Sequence, residues 1–233
     1  MDRITDLLRN PLTLTIATFL IYWGAGWIQR KSRQTWLSPM LITIAALIAL
    51  LRVCGISYES YYESGHMIEF WLKPAIVALG LPLFNELHHI RRQFMTLLLT
   101  ELAGCVVGIV SVVLIAKWLG ASHEVIASLA PKSVSTPIAI EISRQLGGIP
   151  ALTSAIVVAV GMIGAAAGLK MMTWGHVRGG VSRSLSMGTA AHVMGTNRIS
   201  SYGERYSAYA TLGLILNGLL TAFLAPPIVE CIL

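Results

Sequence analysis

The chain has 233 residues; 55% are hydrophobic, only 12% are charged, and the net charge is +6. Soluble domains carry roughly a quarter of their residues as charges, so this composition, with a mean hydropathy of +0.70, excludes an ordinary soluble domain. The basic residues cluster in short loops between apolar runs, with no basic stripe interleaved with stacking aromatics. That excludes a nucleic-acid partner and leaves those charges to set orientation in a bilayer.

Several apolar runs approach the ~20 residues that span a bilayer core. The expected fold is an all-α polytopic membrane protein forming a single domain over residues 1–233. About six full crossings are expected, with two broken, re-entrant helical hairpins arranged as inverted repeats. Asp2, Arg3, Asp6 and Arg9 precede the first run, and no small-residue cleavage site follows it. It therefore reads as a span rather than a removable signal. This span covers residues 11–27, with Trp23 and Trp27 at its interfacial end. Arg30, Lys31 and Arg33 mark the next loop as cytoplasmic. A second span is expected over 37–54, and an outer loop over 55–69, which holds glutamates and tyrosines but no lysine or arginine. The third apolar segment, 70–84, contains Lys73, Pro74, Gly80 and Pro82. The prolines predict a kinked or partly unwound helix, and Lys73 can snorkel to the interface.

A polar turn with Arg91 and Arg92 leads to a long fourth span over 94–119. Near one end it carries Glu101, which either is an interfacial carboxylate, pairs with a neighbouring helix, or couples an ion to transport. The fifth span, 151–172, is rich in glycine and alanine and reads as a central packing helix. The last span covers 206–233.

Two stretches fit no span. Pro131 to Pro137 reads Pro-Lys-Ser-Val-Ser-Thr-Pro. Each proline removes a donor and breaks a helix, and broken backbone at membrane depth is tolerated only where protein buries it or water reaches it. Half-helices are expected on either side, over 121–129 with Ser122 as cap, and over 137–145 with Ser135 or Thr136 as cap. The second would aim its amides at the break. With Lys132 and the hydroxyls of Ser133, Ser135 and Thr136, and with Pro137 in the first turn, this forms a cradle for a small carboxylate. The alternative for Lys132 is a lysine at a hairpin base reaching the interface. The other stretch, 184–198, is studded with small and hydroxyl residues and is too short to cross. Ser186, Thr189, His192, Thr196 and Asn197 can form the opposite wall. Thr189 and His192, and Thr189 and Thr196, would share a helix face. Gly188 and Gly195 would let backbones approach. His192 can carry a proton with the substrate or hydrogen-bond between helices; the sequence leaves both open.

Cys54, Cys105 and Cys231 are scattered, which offers neither a disulfide framework nor a metal spacing. Asp2 and Asp6 are the only aspartates, which disfavours a cation antiporter built on buried aspartates. An enzyme is not expected: Ser133 and His192 would lack an orienting carboxylate. No cofactor is expected beyond proton or sodium coupling.

Three segments carry a family resemblance. Leu-Ala-Pro-Lys-Ser-Val-Ser-Thr-Pro-Ile-Ala from Leu129, followed by Gly-Gly-Ile-Pro-Ala from Gly147, resembles the LrgB/CidB family; so do Ser-Met-Gly-Thr-Ala-Ala-His-Val-Met-Gly-Thr from Ser186 and Lys-Pro-Ala-Ile-Val-Ala-Leu-Gly-Leu-Pro-Leu from Lys73. Ser135 departs from the family's more usual threonine but keeps the hydroxyl. The resemblance implies a multi-pass protein of the bacterial inner membrane with a small LrgA/CidA-type membrane partner. It also implies one of two roles: transport of small hydroxy- or keto-monocarboxylates such as pyruvate, glycolate or glycerate, or holin/antiholin-like modulation of murein hydrolase activity and cell lysis. The expected partners are thus the bilayer, a small carboxylate, the LrgA/CidA-type protein and further copies of the chain.

Overall fold

The computed structural model describes residues 10–32, 39–78 and 80–233, and every regular element among them is a helix. In chain order these are α1 (Pro11–Ser32), α2 (Pro39–Cys54), α3 (Tyr58–Ala78), α4 (Gly80–Asn85), α5 (Leu87–Trp118), α6 (His123–Leu129), α7 (Thr136–Gln145), α8 (Pro150–Trp174), α9 (Gly180–Ser200) and α10 (Glu204–Ile232). The charges at Asp2, Arg3, Asp6, Arg9 and Arg33, and the Lys73 side chain, lie outside the described set.

Among the described residues, four helices are long and apolar enough to cross a bilayer: α1, α5, α8 and α10. The expectation of six differs at the second and third spans. Helix α2 has 16 residues, about 24 Å at 1.5 Å per residue, short of the ~30 Å core. The third apolar segment is divided between α3 and α4. Helix α3 also replaces the expected outer loop. Tyr58, Tyr62 and His66 recur every four residues, and their rings follow one another at 6.1 and 5.5 Å along one helix face. Absence of basic charge indicates which side of a membrane a segment faces; it does not prevent helix formation. Pro74 lies inside α3, which continues past it to Ala78 rather than unwinding there.

The chain divides into two compact units, residues 1–78 and 79–233. In the first, the Thr15 hydroxyl of α1 donates to the Ser64 carbonyl of α3 at 3.1 Å, and Thr18 pairs with the Tyr61 hydroxyl at 3.2 Å.

The second unit is built around α10. Ser207 to Gly213 are buried without interruption, the mark of a helix enclosed on all sides. Helix α9 lies against it at very short range. A Cβ on Gly188 would run into the Ala210 carbonyl, and one on Gly213 would meet the Leu185 carbonyl at 2.6 Å. On the other side of α9, Gly161, Gly164 and Gly168 of α8 seat His192, Ala191 and Met187. The small residues of α8 therefore form a packing face as predicted, while burial puts α10 at the centre.

Two elements of this unit are broken. Helices α6 and α7 flank the break at 130–135. Ser122 occupies the cap position of α6 and Glu124 its first turn; Ser135 occupies the cap position of α7 and Pro137 its first turn, all as predicted. Helix α7 ends in paired bonds from Gly148 N–H to the Ser143 carbonyl and from Gly147 N–H to the Arg144 carbonyl, with Gly147 at φ +76°. That closing turn needs a left-handed residue, which glycine adopts freely. The His123 ring pairs with the Leu146 carbonyl at 3.0 Å, so the chain returns to the level at which it entered.

The second break lies inside α9, at Ala191 (φ −125°, ψ 15°) and His192 (φ 42°, ψ −133°). A Cβ on Gly195 would run into the Met187 carbonyl. Eight residues of straight helix would separate these positions by about 12 Å, so the chain doubles back at the break. Two broken hairpins were expected, and both breaks are present. The segment 184–198 is more helical than its composition suggests, with its irregularity concentrated in two residues.

Candidate functional site

The two breaks meet at a cavity of about 140 Å³. Pockets for drug-sized ligands run to ~300–1,000 Å³, so this one suits only a small solute. The first break contributes Ala130, Lys132 and Ser133; the second contributes Thr189 and Ala190. Helix α5 closes one side with Gly104, Cys105, Gly108 and Ile109, and α10 the other with Asn217 and Thr221.

Asn217 joins the two breaks. Its Nδ2 donates to the Ser133 carbonyl and to the Thr189 carbonyl, each at 3.0 Å, and the residue is 2% exposed. Thr189 lies near the end of the first half of α9, where carbonyls lose their helical donors. The first break has no regular ladder. One amide therefore supplies a proton to each interrupted backbone. Thr221, one turn along α10, reaches Asn217 Oδ1 at 3.4 Å and Cys105 Sγ at 3.3 Å.

Lys132 supplies the charge. Its Nζ reaches the Gly108 carbonyl at 3.4 Å, and no carboxylate of the described residues pairs with it. An ammonium has three donors, so two remain for an anion in the cavity. Gly108 has open space where a Cβ would stand, which leaves room beside the lysine. Behind the opposite wall, Thr189 Oγ1 lies 2.9 Å from Glu101 Oε2. Glu101 is 1% exposed, and its Oε1 is buried without a hydrogen-bond partner.

Residues 18–231 match the model of the LrgB-like family. The chain belongs to this family. LrgB-like proteins similar to it include the "Uncharacterized protein YwbG" of Bacillus subtilis, 32% identical over 90% of this chain and 93% of the relative. "Uncharacterized protein YxaC" of the same organism is 31% identical over 94% of each chain. The "Holin-like protein CidB" of Staphylococcus epidermidis is 29% identical over 94% of this chain and 96% of the relative. No solved structure matches the chain.

Of the site residues predicted for this LrgB-like chain, Lys132, Ser133 and Thr189 line the cavity. Ser135, Thr136 and Pro137 lie outside the lining; they start α7, and Pro137 is exposed. Gly188 and Gly195 serve helix contacts, the first with α10 and the second within α9. His192 turns to α8, where its Nε2 pairs with the Val157 carbonyl at 2.9 Å over Gly161. Of its two sequence readings, this position fits the hydrogen bond between helices. Thr196 donates to the His192 carbonyl at 2.9 Å. The shared face expected for Thr189, His192 and Thr196 does not form, because the break lies between Thr189 and the other side of the hairpin. Ser186 and Asn197 are exposed.

Sequence reasoning missed Asn217, Thr221, Cys105 and Gly108. A signal for Asn217 was present: it is the sole side-chain amide in the last span, and such groups bridge helices in bilayers.

Proposed function

We propose that this protein is a secondary carrier for small hydroxy- or keto-monocarboxylates of the pyruvate, glycolate and glycerate class, working in the bacterial inner membrane beside a small LrgA/CidA-type partner. The observation that carries the reading is the meeting of two backbone breaks at one small cavity with a lysine that pairs with no carboxylate of the described residues. Interrupted elements converging on a polar site are how carriers hold a solute inside a bilayer. In this reading the hairpins enter from opposite faces as inverted repeats. Lys132 binds the carboxylate, the Ser133 and Thr189 segments contact the rest of the acid, and the chain performs no covalent chemistry. The cavity volume sets the size limit.

The test is uptake of radiolabelled pyruvate, glycolate and lactate into proteoliposomes, with the chain alone and with its small partner. Saturable uptake is expected, reduced at least tenfold in Lys132→Ala at equal reconstituted amount. Uptake unaffected by Lys132→Ala would overturn the site.

A second reading draws on the relatives named holin-like: an assembly that modulates murein hydrolase activity and lysis through a membrane lesion. Leakage of an unrelated trapped dye, without saturable carboxylate uptake, would favour it.

A further inference from the structure

Glu101 is the one acidic side chain in the buried set of the described residues. It stands on α5 four residues before Cys105 and seven before Gly108, so its face is the face that walls the cavity. An ionisable group at such depth, off the interface, marks a pathway for charge more often than a structural accident.

Its hydrogen bonding depends on where one proton sits. Thr189 Oγ1 lies 2.9 Å from Glu101 Oε2 and 2.8 Å from the Leu185 carbonyl. A hydroxyl has a single proton to donate. With Glu101 ionised, Thr189 gives that proton to the carboxylate and releases Leu185, or keeps Leu185 and leaves two lone pairs facing each other. With Glu101 protonated, the carboxyl donates to Thr189 and Thr189 donates to Leu185, so both contacts are hydrogen bonds. The seat thus accommodates both states. It also reports the difference to Thr189, which is itself a wall of the cavity.

Few other titratable groups face this seat. On α5, Cys105 is engaged with Thr221 at 3.3 Å. Lys132, from the first break, holds Gly108 across the cavity. His192 of α9 points away to Val157. Helix α10 presents Asn217, Thr221 and the buried phenol of Tyr209, with its charges confined to its ends at Glu204, Arg205 and Glu230. Helix α4 has no titratable side chain, and α6 has only His123 and Glu124 at its start.

We propose that Glu101 is the proton site of the carrier: it takes a proton as a carboxylate occupies the cavity beside Lys132, so that one proton and one anion cross together without net charge. The inference rests on the carrier reading above and assigns its coupling ion to a named group.

The experiment uses proteoliposomes with trapped pH dye, potential clamped, and labelled pyruvate or glycolate as probe. In wild type, inward substrate flux should acidify the lumen. An inside-alkaline gradient of one pH unit should drive accumulation toward about tenfold, the factor that one proton per substrate supplies. Glu101→Gln should exchange internal for external substrate at a rate within a fewfold of wild type, yet equilibrate at a ratio near one. Substrate flux in wild type without proton movement would overturn the proposal while leaving the carrier reading intact, and so would gradient-driven accumulation by the variant. Loss of exchange as well as accumulation in a variant that melts like wild type would make Glu101 a binding residue and overturn it too. If Glu101→Gln fails to fold, wild-type substrate flux without proton movement would still overturn the proposal. Absence of any carboxylate flux in wild type would instead remove the carrier reading.

Discussion

The two breaks that meet at the cavity hold their turned backbones by different means. The first, between α6 and α7, is stabilised from its own ends. His123 ties to Leu146, and the Ser128 hydroxyl accepts from Ile149 N–H at 2.7 Å. Its middle is therefore free to put Lys132 and Ser133 into the cavity. The second, inside α9, is stabilised from outside. His192 sits at φ 42° with no glycine to ease it, and its ring is fixed by α8 while its carbonyl accepts from Thr196. Such a conformation costs a non-glycine residue about 1–3 kcal/mol. The contrast separates a break that presents chemistry from a break that positions one. Among the described side chains, Asn217 is the one whose hydrogen bonds reach both.

The change that strains this comparison most is Asn217→Leu. It leaves the Ser133 and Thr189 carbonyls without their shared donor, at ~1–3 kcal/mol for each stranded group. We expect it to cost more thermal stability in detergent than any change at His192 or Thr221, with uptake lost alongside it. A melting profile like wild type would mean that the breaks are independent. A smaller effect separates the two elements directly. His192→Ala keeps the strained backbone and removes the Val157 bond, whereas His192→Gly removes both. His192→Gly should therefore melt above His192→Ala, by about 1 kcal/mol in stability. The reverse order would show that the turned backbone at residue 192 carries no strain for glycine to relieve. The smallest effect is Thr221→Val, which deletes one long bond to Asn217 and one to Cys105 and should cost under ~1 kcal/mol, with near-normal substrate affinity by uptake kinetics.

The first break was legible because its devices are local. Two prolines, a cap position and the Gly147–Gly148 stop all act within a few residues of where they are written, and Lys132 stood out against an apolar background. The second was legible only as a segment. Ala191 and His192 carry no breaking residue, and what lets the chain turn there is the absence of side chains on Gly161 and Gly164, some thirty residues away in sequence, where Ala191 and His192 fit closely. Asn217 was missed for the same reason: an amide in a long apolar helix has no visible partner until the hairpins are placed. The helix from Tyr58 was missed because side-of-membrane logic took the place of periodicity. Charge asymmetry in a segment says where it faces, while the four-residue recurrence of its rings says how it is folded.

The shared nitrogen of Asn217 has a mechanical consequence. Each carbonyl lies 3.0 Å from it, so while both bonds persist the Ser133 and Thr189 oxygens stay within twice that distance of each other. The α10 side of the cavity is therefore its hinge. The opposite seam, along α5, is closed by a 3.4 Å lysine bond and a carboxyl–hydroxyl contact. Those are the two contacts beside which an arriving anion and an arriving proton would settle, so in a carrier the cargo would act on the wall opposite the hinge.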